Sequence, residues 1–167
     1  MIYAAPPPGD VIDQGDLIDG CPLPHLGVVN LSAPEPWVAA VDFRRAIVLT
    51  QTCDLANDKT SVAAVAEVFE AQQLVDQGLL KPADIKGPLR SGRVWGLYFL
   101  PAHGDLGLGE MIVDLRRLHT VRLDLLSELC RTGKRRGRVR PLYREHLAKH
   151  FADTYSRIGL PQPYETL

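Results

Sequence analysis

No stretch of this 167-residue chain approaches the roughly 20 consecutive apolar residues that a membrane-spanning helix needs, so no membrane partner is expected. The opening, MIYAAPPPGD, lacks the basic and apolar regions of an export signal, and residence in the cytoplasm is the expectation. Cysteine is scarce. Cys21, Cys53 and Cys130 form an odd, dispersed set, which argues against a disulfide framework and fits reduced thiols.

Metal and nucleotide motifs are also missing. Cys21-x3-His25 is half of a zinc pattern without its second pair. His146 and His150 stand four apart, but no Glu follows the first, so the zincin motif is absent and solvent-facing histidines are expected. Gly104, Gly107 and Gly109 lie in HGDLGLGE, ahead of a strand-like segment rather than a helix. A hairpin loop is therefore expected there, not a phosphate loop. No metal or cofactor is expected.

What is present is an ordinary globular composition, 46% apolar and 23% charged, in a chain long enough for one domain with a real core. The net charge of −1 hides an asymmetry. Residues 1–115 hold 7 Lys/Arg against 15 Asp/Glu, and residues 116–167 hold 12 against 5. A basic end on an acidic body implies either an anionic partner or a match within the molecule or between subunits.

Along the chain, short β-rich segments dominate. Strands are expected near Leu17-Ile18, at Val28–Leu31, from Trp37 through Leu49, at Ser61–Val68, at Val94–Leu100 and at Met111–Leu115. The alanines of SVAAVAEV leave a helix from Thr60 open as an alternative. Glu70–Leu80 has helical composition, followed by a turn-rich segment over 81–93. A short helix is expected over Val121–Cys130. Leu142, Tyr143, Leu147, Phe151, Tyr155 and Ile158 recur at helical spacing, with Gly159 and Pro161 as stop signals. The expectation is a β-rich α+β domain over 1–167, with its core over about 10–122 and a helical C-terminal extension over about 121–160.

Five fragments in order carry a resemblance: GDLI (15–18), RRAIVLT (44–50), NDKTSVAAVAEV (57–68), LYFLP (97–101) and EMIVDLRRLHTV (110–121). Together they resemble MazF/PemK-type toxins over about residues 15–122, with an insertion near 70–93. The resemblance implies a small SH3-like β-barrel, to which this chain's own pattern adds an inserted helix and a C-terminal amphipathic helix. It also implies RNA or DNA as ligand, an antitoxin-like protein partner, homodimerisation and endoribonuclease activity. Arg44 occupies the place of the arginine that helps bind and cleave RNA in that family. Two departures qualify this: Arg45 replaces the family's proline, and the next strand ends Glu67-Val68-Phe69-Glu70 without the family's catalytic hydroxyl. The ribonuclease activity is therefore expected to be lost or altered, because fold does not carry function with it.

The polar stretch Thr50-Gln51-Thr52-Cys53-Asp54 is the local candidate. If residues 44–54 form one strand, Arg44, Thr50, Thr52 and Asp54 share a face, and Arg44 and Asp54 lie about 33 Å apart by strand rise. Arg44, Thr50, Thr52 and Asp54 are thus the catalytic candidates, with the three distal residues as a polar strand end. Cys53 as nucleophile, in a hydrolase or transferase, would need His103 or His119 nearby, because the adjacent carboxylate disfavours a thiolate. The alternative is a small buried thiol.

The segment RTGKRRGRVR places Arg131, Lys134, Arg135, Arg136, Arg138 and Arg140 within ten residues. It could neutralise nucleic-acid phosphates, dock a protein partner, remain a solvated loop, or fold onto the acidic N-terminal body. Aromatic residues do not interleave it, so base stacking is not indicated there.

Overall fold

The structure, a computed structural model, describes residues 1–26, 32, 39–57 and 59–156. The strand expected at Val28–Leu31, most of the loop after it, Ile158, Gly159 and Pro161 lie outside these. Elements run β1 (Tyr3–Ala4), β2 (Asp16–Leu26), β3 (Ala39–Val48), α1 (Thr52–Ala56), β4 (Val62–Glu70), α2 (Ala71–Asp76) and α3 (Pro82–Asp84). After a π-turn at Ile85–Leu89 come β5 (Leu97–Leu100), β6 (Met111–Arg122), α4 (Leu123–Arg131), β7 (Arg135–Val139) and α5 (Tyr143–Tyr155).

All seven strands belong to one antiparallel sheet in the order β1-β7-β2-β3-β4-β6-β5. The sheet curls into an open half-barrel, and the Tyr3 hydroxyl near one edge donates to the Pro101 carbonyl near the other at 2.8 Å. The protein is thus a barrel-like, β-rich α+β fold, as its alternating apolar segments imply.

Directly opposed residues share a face, so the register sorts the core. Leu17, Ile47, Ala66, Val68, Met111 and Val113 look to one side, where Tyr3, Leu100 and Leu147 of α5 complete the largest apolar cluster. On the other side two separate clusters form. One gathers Ile18, Cys21, Ala46, Val48, Ala63 and Val65 under Leu126 and Cys130 of α4. The other gathers Ile112, Ala71, Leu74, Ile85 and Leu89 under α2 and the π-turn. The sheet surface between them carries the polar side chains.

Several boundaries differ from the sequence expectation. The strand through Leu49 ends at Val48, and Thr52–Asp54 lie on α1, so alternation does not extend from Arg44 to Asp54. The stretch Ser61–Val68 is a strand despite its alanines, because Ala63 and Ala66 are fully buried in neighbouring ladders where small side chains fit. The strand expected from Val94 starts at Leu97, after Gly96 with φ +72°. The strand expected to end at Leu115 runs on to Arg122 through a bulge. HGDLGLGE is a tight connection closed by a His103–Leu108 bridge, matching the hairpin expectation.

Residues 135–139, read as part of a basic loop, instead form a strand inside the sheet. The reason is electrostatic. The buried Asp16 carboxylate receives Arg138 Nε at 2.7 Å and Nη2 at 3.0 Å, with Arg135 Nη2 at 3.3 Å. Arg138 also reaches Asp10 at 2.8 Å, and Arg136 reaches Asp19 at 3.6 Å. The acidic run Asp10–Asp19 and the basic run 135–138 are therefore each other's partners.

Candidate functional site: a polar groove across the sheet

Between the two smaller clusters lies a groove of about 780 Å³. Its floor comes from adjacent strands in register. Leu23 pairs with Asp42 and Cys21 with Arg44 across β2 and β3, and Glu67 pairs with Asp114 across β4 and β6. Helix α2 and Leu79-Leu80 form one wall. The other wall is a consequence of the β6 bulge. Ala66 pairs with Leu118 while the next residue, Glu67, pairs with Asp114, so Leu115, Arg116 and Arg117 are extra residues on β6. Such an insertion re-aims side chains. Here it turns Arg116 and Arg117 over the groove.

The charges are layered. Asp114 is buried, and it accepts from Arg116 Nε at 2.8 Å, Arg116 Nη2 at 2.9 Å and the Arg116 backbone N–H at 3.0 Å. These hydrogen bonds hold the Arg116 guanidinium more firmly protonated than a free arginine. Glu67, nearly buried, lies 3.1 Å from His119 Nε2 and 3.5 Å from Arg117 Nη1. Arg117 also stands over the Phe69 ring at 5.6 Å, a cation–π arrangement. Arg44 pairs with Asp42 at 2.9 Å. The side chains of Arg44, Arg116 and Arg117 remain 51%, 47% and 61% exposed, whereas those of Glu67 and Asp114 are 12% and 9%. The nearly buried Glu67 and Asp114 thus anchor the half-exposed Arg117 and Arg116, while Arg44 pairs with Asp42, itself 47% exposed, so the groove presents three guanidiniums and one exposed carboxylate.

Of the four catalytic candidates and the six basic residues of 131–140, Arg44 alone lines this groove, together with His25 and His119, which the sequence offered in other roles. Thr50 Oγ1 accepts from the Ala64 backbone N–H at 2.7 Å, a strand-end clasp between β3 and β4. Thr52 Oγ1 is buried with no hydrogen-bond partner among the described residues, and Asp54 pairs with Lys59 at 3.2 Å on the surface. Cys53 is exposed on α1 rather than buried at a strand end, and its polar neighbours are Gln51 and Asp54. No histidine approaches it among the described contacts. Arg131 pairs with Glu128, Arg140 Nε donates to the Tyr3 carbonyl at 2.9 Å, and Lys134 is exposed. Arg45, standing where the proline was expected, bridges Asp19 and Glu70 at 2.5 Å each and ties β2 to β3 and β4.

His146 is exposed, as expected, and His150 is half-buried; both rings pack on Tyr98. His146 Nδ1 lies 3.2 Å from the Tyr98 hydroxyl, and His150 Nε2 lies 3.3 Å from the Val94 carbonyl. Among the described residues, no group of three or more His, Cys, Asp or Glu is placed to hold a metal ion. No helix among them is long and apolar enough to cross a membrane.

Glu67, Asp114, Arg116 and Arg117 escaped the sequence reading as site residues, and His119 entered it only as a possible partner for Cys53, which it does not contact. One signal was available: two adjacent arginines inside an apolar strand cannot both obey alternation, which marks a bulge. The chain matches no protein-family model, and no curated protein matches it significantly.

Proposed function

We propose that this protein is a nucleic-acid-binding barrel of the SH3-like, MazF/PemK-related kind, and that single-stranded RNA lies in the groove between β2–β3 and the β6 bulge. One observation carries the reading: three half-exposed guanidiniums, Arg44, Arg116 and Arg117, converge on one groove, the last two held by the nearly buried Asp114 and Glu67 and the first by the half-exposed Asp42. Forked guanidiniums suit phosphate oxygens, and their tethering lowers the entropy lost on binding. Phe69 adds an aromatic face beside Arg117. The basic 131–140 segment is a weaker candidate for the same role, or for docking a protein partner, because Arg135, Arg136 and Arg138 are engaged with aspartates.

The test is binding of a fluorescein-labelled single-stranded RNA across a salt series. Three phosphate contacts give a log–log salt slope of about −2, and Arg44→Ala flattens it by about 0.7. Wild-type affinity and slope in both Arg44→Ala and the Arg116→Ala/Arg117→Ala double variant would sink the reading.

A further inference from the structure

We propose that a pocket at the open seam of the half-barrel, apart from the groove, binds a small aromatic carboxylate. β1 and β5 are the two edge strands of the sheet, and the pocket lies where they approach one another, beside the Tyr3–Pro101 hydrogen bond. The π-turn, β5 and the first turn of α5 form its walls. Its volume of about 510 Å³ falls within the roughly 300–1,000 Å³ of small-molecule sites. It shares no lining residue with the groove.

The lining joins apolar walls to basic side chains. Leu89 and Tyr98 are buried, and Phe99 packs beside them. Four of the nine lining residues carry flat rings, Tyr98, Phe99, Tyr143 and His146, and such walls suit a planar aromatic body. Arg90 and His146 are the basic groups, and no carboxylate lines the pocket. Arg90, 48% exposed, stands over the Phe99 ring at 5.2 Å and donates through Nη2 to Glu110, which lies outside the lining. Its Nε and Nη1 have no hydrogen-bond partner among the described residues, so donors remain for a carboxylate. A single cation that already shares its charge with Glu110 suits a monoanion with an apolar body. A dianionic phosphate would bring more charge than Arg90 offsets.

The remaining polar groups add no negative charge. The Tyr98 hydroxyl donates to the Tyr143 carbonyl at 3.3 Å and lies 3.2 Å from His146 Nδ1. Burial pushes this phenol up to about 12, so it stays neutral beside a bound anion. The Tyr98 contact orients the imidazole and leaves His146 Nε2 without a partner among the described residues, a second hydrogen-bonding position for the ligand. Backbone strain marks the same place. Leu142, immediately before α5, is 76% exposed and holds φ +73° although it is not a glycine. Such conformations persist only where the surrounding structure over-determines them, and they gather at ligand clamps. Here the strained residue delivers Tyr143 to the pocket wall.

The experiment titrates the full chain with 2-naphthoate, read by its fluorescence and by calorimetry. Saturable binding at one site per chain is expected. Arg90→Ala weakens it about tenfold, and Arg90→Gln provides the same comparison should the alanine variant unfold. Arg44→Ala and the Arg116→Ala/Arg117→Ala double variant bind the probe as wild type does, because the groove is a separate opening. Two further probes separate ring from charge. Octanoate keeps the carboxylate without the ring, 2-naphthalenemethanol keeps the ring without the charge, and each binds about tenfold more weakly. Absence of saturable 2-naphthoate binding, wild-type affinity in both Arg90 variants, or loss of binding in the groove variants overturns the proposal. Octanoate binding as tightly as 2-naphthoate overturns the aromatic assignment, and the alcohol doing so overturns the carboxylate contact. The RNA reading of the groove stands or falls separately, on its own salt series.

Discussion

At the scale of single residues, the sharpest contrast is between charges that face inward and charges that face a ligand. Asp16 is fully buried and holds Arg138 through two hydrogen bonds, with Arg135, itself 2% exposed, at 3.3 Å. Removing one partner of such a cluster leaves buried cations without compensation. Asp16→Ala is expected to cost about 3–5 kcal/mol in urea unfolding, far more than a surface carboxylate would. Asp54→Ala on α1, whose pair with Lys59 is exposed, serves as the comparison and should change stability by less than about 1 kcal/mol. Similar stability of the two variants would mean that the Asp16 cluster is not the clamp described.

At the scale of elements, the groove depends on irregularities rather than on regular strands. The β6 bulge needs a close approach by the turn before β5, where the Leu115 backbone N–H donates to the Gly96 carbonyl at 2.8 Å. Gly96 has φ +72°, and a Cβ there would meet Arg116 Cγ at 2.7 Å and Cδ at 2.8 Å. Gly96→Ala should therefore push Arg116 off Asp114, lower stability by about 1–3 kcal/mol, and weaken binding of the labelled RNA. A melt and an affinity indistinguishable from wild type would show that Arg116 does not depend on this contact. The β2 bulge does related work. Ile18 pairs with Ala46 but Cys21 with Arg44, so one extra residue around Gly20, at φ +67°, shifts the ladder beside the Asp19–Arg45 pair.

At the scale of the whole molecule, burial couples stability to alkaline pH. Desolvation pushes the Cys21 thiol from its usual 9.0 up to about 12 and the Tyr98 phenol from 10.0 up to about 12, and it raises Tyr3 as well. The folded state thus holds these protons more tightly than the unfolded chain. Their contribution is complete below pH about 9 and is lost as pH rises through about 12, because the unfolded state deprotonates first. Urea midpoints should fall progressively between pH 9 and 12, and Cys21→Ala should flatten the early part of that fall. A flat wild-type profile over this range would contradict the burial of these groups.

The sequence by itself determined the β-rich class, the positions of most strands, the C-terminal helix, and the opposed acidic and basic segments, because these rest on local alternation, helical spacing and charge counts. It also marked Arg44, the one catalytic candidate that lines the groove. The remaining groove residues were decided only by tertiary structure. Glu67 and Asp114 lie 47 residues apart in the chain and meet because antiparallel register sets them opposite one another. Arg116 and Arg117 face the groove because three residues of β6 lack partners on β4. The destination of the basic segment was likewise beyond local pattern. Its arginines could have met phosphate, solvent or aspartate, and the choice fell to Asp16 because a buried carboxylate in the neighbouring strand requires cations within hydrogen-bond reach.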